Sequence, residues 1–77
     1  MKIEGKKIVL FGGTSGIGFS CAQMLSDKKA KIIYSISRNP DKSDYKPLNL
    51  TYRKIDVLDE KSLSSFFNEI GEYDVLI

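Results

Sequence analysis

Four of the chain's six glycines fall within Phe11-Gly12-Gly13-Thr14-Ser15-Gly16-Ile17-Gly18, and the segments on either side of this cluster constrain the fold most. Ahead of it, Lys7 to Phe11 is a short, almost continuous apolar run rich in β-formers, flanked by charge and then by glycine, as a buried parallel strand requires. Behind it, Ile17, Cys21, Met24 and Leu25 recur at i, i+4, i+7 and i+8, with Ser20, Gln23, Ser26 and Asp27 on the other face. That spacing predicts an amphipathic helix of about three turns. Strand, glycine turn and helix follow one another without a linker.

The alternation continues to the last residue. Lys31 to Ser37, with Ile32, Ile33, Tyr34 and Ile36, suits a second buried strand. Between Asn39 and Asn49, Pro40, Pro47, Asp41, Ser43 and Asp44 disfavour a helix and predict a loop. Leu50 to Val57 reads as a third strand. Asp59 then stands as an N-cap before Leu63, Phe66, Phe67 and Ile70, and Gly71 ends that second helix. Tyr73 to Ile77 starts a fourth apolar strand. The order predicts an α/β fold: a parallel sheet with right-handed crossovers, strands in the order 3-2-1-4, flanked by helices. Ligands bind such sheets outside the carboxyl ends of the strands, at the switch point between strands one and four.

Composition removes several alternatives. One cysteine, Cys21, and no histidine exclude an intramolecular disulfide, a zinc finger and imidazole catalysis. Cys21, Phe66 and Phe67 at inward helical positions read as core, and Asp56, Asp59 and Glu60 read as a helix start rather than a metal site. Residues 1–38 carry seven Lys/Arg and two Asp/Glu, whereas residues 39–77 carry five and eight. The lysines sit at element ends, so they read as solvated charges and not as a nucleic-acid surface. The early apolar run is too short for a signal peptide or a membrane span, and the cytoplasm is the expected address.

The glycine spacing has a chemical reading. Gly12 permits a sharp turn out of the strand, Gly16 admits a pyrophosphate against bare backbone, and Gly18 lets the helix pack closely on the sheet. The helix N-terminus then offers unpaired N–H groups to an anion. A glycine-rich turn chosen for geometry alone is the other reading. Gly13 to Ser20 has P-loop spacing, but Phe19 occupies the lysine position, so the group that neutralises the outer phosphates is missing. Nor is the order Gly-x-Gly-x-x-Gly, the commonest dinucleotide fingerprint.

The order Gly-x-x-x-Gly-x-Gly, with Thr14 and Ser15 inside it, resembles the short-chain dehydrogenase/reductase family. Ser37-Arg38-Asn39 is similar to that family's turn after strand two, Asp56-Val57 to its pair after strand three, and Tyr73 to Ile77 to its fourth strand. Phe11 departs from the family's usual threonine. The resemblance implies a Rossmann-type NAD(P)-binding domain of which residues 1–77 are the amino-terminal part. It implies that the backbone at Gly12, Ser15, Gly16 and Ile17 and the hydroxyls of Thr14 and Ser15 surround the cofactor's phosphates and ribose, with Gly18 completing the cofactor-binding motif. It further implies that Asp56 accepts from the adenine amino group, with Val57 beside the ring; a strand-end turn carboxylate is the other reading of Asp56.

Arg38 bears on cofactor choice. An acidic side chain about 20 residues after the last motif glycine selects NAD, whereas arginine pairs with the 2′-phosphate of NADP. NADP is therefore expected over NAD, against a solvated strand-end cation. The family transfers hydride between the nicotinamide and a carbonyl or alcohol, using a serine and a Tyr-x-x-x-Lys pair. Tyr34, Tyr45, Tyr52 and Tyr73 are followed at i+4 by Arg38, Asn49, Asp56 and Ile77, so no catalytic residue is assigned. Three expectations follow: a truncated amino-terminal segment of an NADP-dependent oxidoreductase, ranked first because Val75 to Ile77 would be an apolar edge; a stand-alone dinucleotide-binding module; or a non-binding remnant. A small carbonyl or alcohol substrate and a homo-oligomer are expected by resemblance only.

Overall fold

Lys7–Phe11 forms β1, Gly16–Asp27 α1, Ile32–Ser37 β2, Leu50–Lys54 β3, Glu60–Ile70 α2 and Val75–Leu76 β4. The structure is a computed structural model and describes residues 2–12, 16–38 and 47–77. The described strands make one sheet in the order β3-β2-β1-β4, all pairs parallel. This is the expected 3-2-1-4 arrangement.

Alternation along β1 divides the core between the two faces of the sheet. Ile8 and Leu10 join Ala22, Leu25, Ala30, Ile33 and Leu50 on the α1 side. Val9 joins Ile36, Ile55, Phe66 and Ile70 on the α2 side. Burial on both faces explains why β1 reads as an unbroken apolar run, and each fully buried aliphatic chain contributes on the order of 1.5–3 kcal/mol. Phe66 anchors the second face: its ring meets Tyr34 edge-on at 5.4 Å and Phe67 at 5.3 Å, and the Arg53 guanidinium lies 5.4 Å from its centroid.

Helix α2 starts and stops where the sequence predicts. Asp59 is the N-cap: one carboxylate oxygen accepts the Ser62 N–H at 3.2 Å and the other accepts the Ser62 hydroxyl at 2.8 Å. Gly71 ends the helix with φ of 70°, donating its N–H to the Phe67 carbonyl. A bidentate pair from Arg53 to Glu69, at 2.6 and 3.0 Å, ties the outer face of α2 to β3. The Lys7 ammonium donates to the Ile70 carbonyl at the end of the same helix.

Several expectations need correction. Met24 is half exposed at 49%, and Ala22, not Met24, is the buried helical partner of Leu25. Cys21 is half-buried against the α1-side core rather than enclosed. Ser26, placed on the outer face by its polarity, is half-buried and donates its hydroxyl to Asn49 Oδ1 at 2.7 Å. Asn49 Nδ2 in turn donates to the Ser26 and Ala30 carbonyls, at 3.3 and 3.0 Å. The third strand ends at Lys54, because after the last rung from Ile55 N–H to the Ser37 carbonyl the chain turns at Asp56. The fourth strand is Val75–Leu76, although Ile77 still exchanges backbone bonds with Val9 and Phe11. Asp74 precedes it with two bonds to Lys7: its carboxylate accepts the Lys7 N–H and its own N–H donates to the Lys7 carbonyl, both at 2.8 Å. Most of the expected loop between Asn39 and Asn49 lies outside the described residues, as do Gly13, Thr14 and Ser15.

Candidate dinucleotide-binding cleft

The carboxyl ends of β1, β2 and β3 lie side by side because the three strands are parallel. Phe11 pairs with Ile36, and Ile36 with Arg53. Beyond β1 the ladder runs one step further, from the Gly12 N–H to the Ile36 carbonyl at 2.8 Å. Gly12 then turns away with φ of 76°, a conformation side-chain-bearing residues rarely adopt. A Cβ built there would meet nothing within 4 Å. The position requires glycine for its backbone angle and not for space.

Helix α1 begins four residues later at Gly16, so Gly16, Ile17 and Gly18 form its first turn. That turn holds no acidic side chain, which leaves the positive end of the helix uncompensated and suited to an anion. Gly18 is half-buried. The expected contributions of Thr14 and Ser15 lie outside the described residues.

A cleft of about 390 Å³ opens at this end of the sheet. Its apolar lining is Phe11, Ile36 and Ile55, and Gly12, Ser37, Arg38 and Val57 complete it. Thus the structure brings three predicted residues, Gly12, Arg38 and Val57, to one cleft. Arg38 is exposed and, among the described residues, has no salt-bridge partner. Val57 is 51% exposed, leaving apolar surface at the mouth. Asp56 does not line the cleft: its Oδ1 accepts the Leu58 N–H at 2.9 Å and its carbonyl accepts the Asp59 N–H at 2.9 Å. Its immediate work is to form the turn that presents Val57.

Sequence reasoning had not named Phe11, Ile36, Ser37 or Ile55 for this place. Their signal was positional: in a parallel sheet the terminal residues of adjacent strands share one end. A larger groove of about 920 Å³, lined in part by Lys7, Tyr34, Tyr73 and Asp74, lies at the opposite, amino-terminal end of the strands. The smaller cleft is the candidate site, because the glycine turn and the first turn of α1 lie at that end of the sheet, with α1 and α2 packed on opposite faces. Among the described residues no cluster of three or more metal-ligating side chains occurs, and no helix is long and apolar enough to cross a membrane.

No family model matches the chain. A curated relative, the short-chain dehydrogenase/reductase prx4 of Penicillium rubens, is 36% identical over 76 residues, covering 99% of this chain and 23% of its own length. The chain therefore spans under a quarter of that relative. Among solved structures, a short-chain dehydrogenase from Burkholderia cenocepacia in complex with NADP superposes with a TM-score of 0.89 at 18% identity, over 99% of this chain and 32% of that one. A short-chain dehydrogenase from Leptospira borgpetersenii with bound NAD+ gives 0.85 at 19% identity, over 97% and 31%. At those identities the structural likeness speaks for the fold. Sequence and fold together bear out the resemblance to the short-chain dehydrogenase/reductase family across the chain, whose sheet and helices make a Rossmann-type fold.

Proposed function

We propose that this chain is the amino-terminal cofactor-binding segment of an NADP-dependent short-chain oxidoreductase. The observation that carries the choice of cofactor is Arg38, an exposed cation immediately after β2, on the cleft that also holds the Gly12 turn. Its planar guanidinium suits a phosphate monoester, and no acidic side chain stands in its place to accept from a ribose 2′-hydroxyl. Gly12, Gly16 and the first turn of α1 would hold the pyrophosphate, with Thr14 and Ser15 completing that cradle. Phe11, Ile36, Ile55 and Val57 would receive the adenine; Asp56 lies outside that lining, next to Val57, and with Oδ1 taken by the Leu58 N–H only its other carboxylate oxygen would accept from the adenine amino group at the cleft's edge.

When bound, the dinucleotide supplies or accepts the hydride exchanged with a small carbonyl or alcohol. The 77 residues bind and orient but contain no Tyr-x-x-x-Lys pair, so turnover by this chain alone is not expected. That same sequence feature supports a second reading, a dinucleotide-binding module without chemistry. The family resemblance favours a homo-oligomer.

Calorimetric titration with NADPH and NADH tests the assignment. A charge-assisted phosphate contact predicts NADPH binding about tenfold or more tighter, with Arg38→Asp abolishing or reversing the preference. Equal affinities, or tighter NADH binding, would overturn it.

A further inference from the structure

The amino-terminal foot of the sheet, opposite the cleft, gathers lysines that lie far apart in the sequence. Residues 2–6 lead into β1, and residues 27–31 join α1 to β2. Backbone bonds hold the two segments together: the Gly5 N–H donates to the Lys29 carbonyl at 3.1 Å, and the Lys31 N–H to the Lys6 carbonyl at 2.9 Å. Five lysines, Lys2, Lys6, Lys28, Lys29 and Lys31, thereby share one end of the molecule with two carboxylates, Glu4 and Asp27. That patch carries +3 where the whole chain carries +2. All of these lysines but Lys6 are exposed, and among the described residues none forms a salt bridge. Compensation of the α1 dipole accounts for Lys28 and Lys29, which follow its last turn, but not for Lys2, Lys6 and Lys31, which belong to other segments. Lys29 is also kept at a conformational cost. It has φ of 63° and donates its N–H to the Ser26 carbonyl while Ala30 donates to that of Leu25, the capping position that glycine usually fills.

We propose that this foot is a docking surface for an acidic peptide segment of a partner protein, one that carries an aliphatic side chain between its carboxylates. A groove of about 450 Å³ opens within the patch, lined by Lys2, Ile3, Glu4, Met24 and Lys28. Its floor is apolar: Ile3 packs against the α1-side core, and Met24 is half exposed. An unbranched methionine adapts its shape to an aliphatic partner, and Lys2 and Lys28 border it with positive charge. Glu4 decides among anionic partners. A nucleic-acid backbone or an anionic bilayer presents negative charge throughout, and so sets it against Glu4 as well as against the lysines. A peptide can place its carboxylates at the lysines and an uncharged residue at Glu4. The concave shape likewise receives an inserted side chain, the usual anchor of a protein interface, better than it receives a flat bilayer. The proposal is independent of the cofactor assigned to the cleft.

Fluorescence anisotropy with a labelled peptide, acidic residues flanking one leucine, tests this; two control peptides replace the acids by glutamine or the leucine by serine. The acidic leucine peptide should bind about tenfold or more tighter than its glutamine form, and more weakly as salt is raised. Lys28→Glu should weaken it by about five- to tenfold. Lys54→Glu makes the same charge change at the exposed carboxyl end of β3 and should leave binding unchanged. Met24→Gln should weaken the leucine peptide by about threefold or more and leave the serine peptide as it was. Lys28→Glu sets a carboxylate at the negative end of α1, so Lys29→Gly separates charge from folding. It should raise the melting temperature by about 4–8 °C, because glycine relieves the positive φ, while weakening the peptide by about two- to fivefold. Equal losses in Lys28→Glu and Lys54→Glu would mean attraction by net charge alone and would overturn the proposal. So would unchanged binding by Lys29→Gly, a Met24→Gln effect on both peptides or on neither, or no binding of the acidic peptide. Tighter binding of a single-stranded oligonucleotide or of phosphatidylserine vesicles than of the peptide would overturn it as well.

Discussion

Replacing Asn49 with alanine should destabilise the chain by about 2 kcal/mol, through three side-chain hydrogen bonds that join the turn before β3 to the end of α1. Each such bond contributes about 0.5–1.5 kcal/mol net, and half-burial lets water recover part of the loss, which keeps the sum near the lower end. A chain of 77 residues has a total stability of about 4–12 kcal/mol, so the change is a substantial fraction of it. The corresponding fall in melting temperature is about 8–16 °C. The amide orientation is fixed by its surroundings: Nδ2 faces two carbonyls, which only accept. Asn49→Asp therefore discriminates further. A carboxylate there keeps the acceptor for the Ser26 hydroxyl but sets negative charge against the Ser26 and Ala30 carbonyls, at the negative end of α1. At neutral pH it should cost at least as much as alanine. Urea unfolding of the two variants measures this. A change below about 0.5 kcal/mol for Asn49→Ala, or an aspartate milder than alanine, would refute the reasoning.

Two further outcomes are expected. Gly12→Ala should lose about 1–2 kcal/mol from positive φ alone, since its Cβ enters open space; Gly12→Asn should lose less, and equal urea midpoints for the two variants would count against this account. In acid, the Ser62 hydrogen bonds hold Asp59, and the Arg53 hydrogen bond holds Glu69, below the usual carboxylate range. With folded values below unfolded ones, the unfolded chain binds the extra protons as pH falls, so this stabilisation is present above about pH 4 and is lost below it. Melting temperature followed from pH 6 to pH 2 should show a shallower decline for Asp59→Asn, whose cap no longer titrates.

Local rules made much of this fold legible. Asp59 and Gly71 mark the ends of α2 because capping depends on residues within one turn. The strand order follows from alternation of strand and helix, and Gly12 from the need for a turn between them. What escaped depends on contacts far apart in sequence. The Asn49 bonds reach Ser26 and Ala30 across an unrelated loop, and polarity alone had put Ser26 in solvent. Met24 was misplaced because α1 opens with two glycines and buries an alanine, leaving little apolar contrast to fix which way the helix faces. In the cleft, the glycine motif and Arg38 were visible as a pattern. Phe11, Ile36 and Ile55 were not, since each looks like an ordinary core residue until strand ends are aligned.

The paired bonds between Asp74 and Lys7 bear on how β4 finds its place. A hairpin turn dictates which residues meet, but a parallel strand arrives by a long crossover that leaves its position along the neighbour open. With two residues in the ladder, β4 has little side-chain patterning of its own to resist sliding. Asp74 grips one residue of β1 by main chain and side chain together, and so acts as an index mark. A slip of a single residue would exchange Val75, which packs on the α1-side core, with Leu76. One carboxylate at the foot of the sheet thereby helps set which apolar side chain faces inward at the strand's other end.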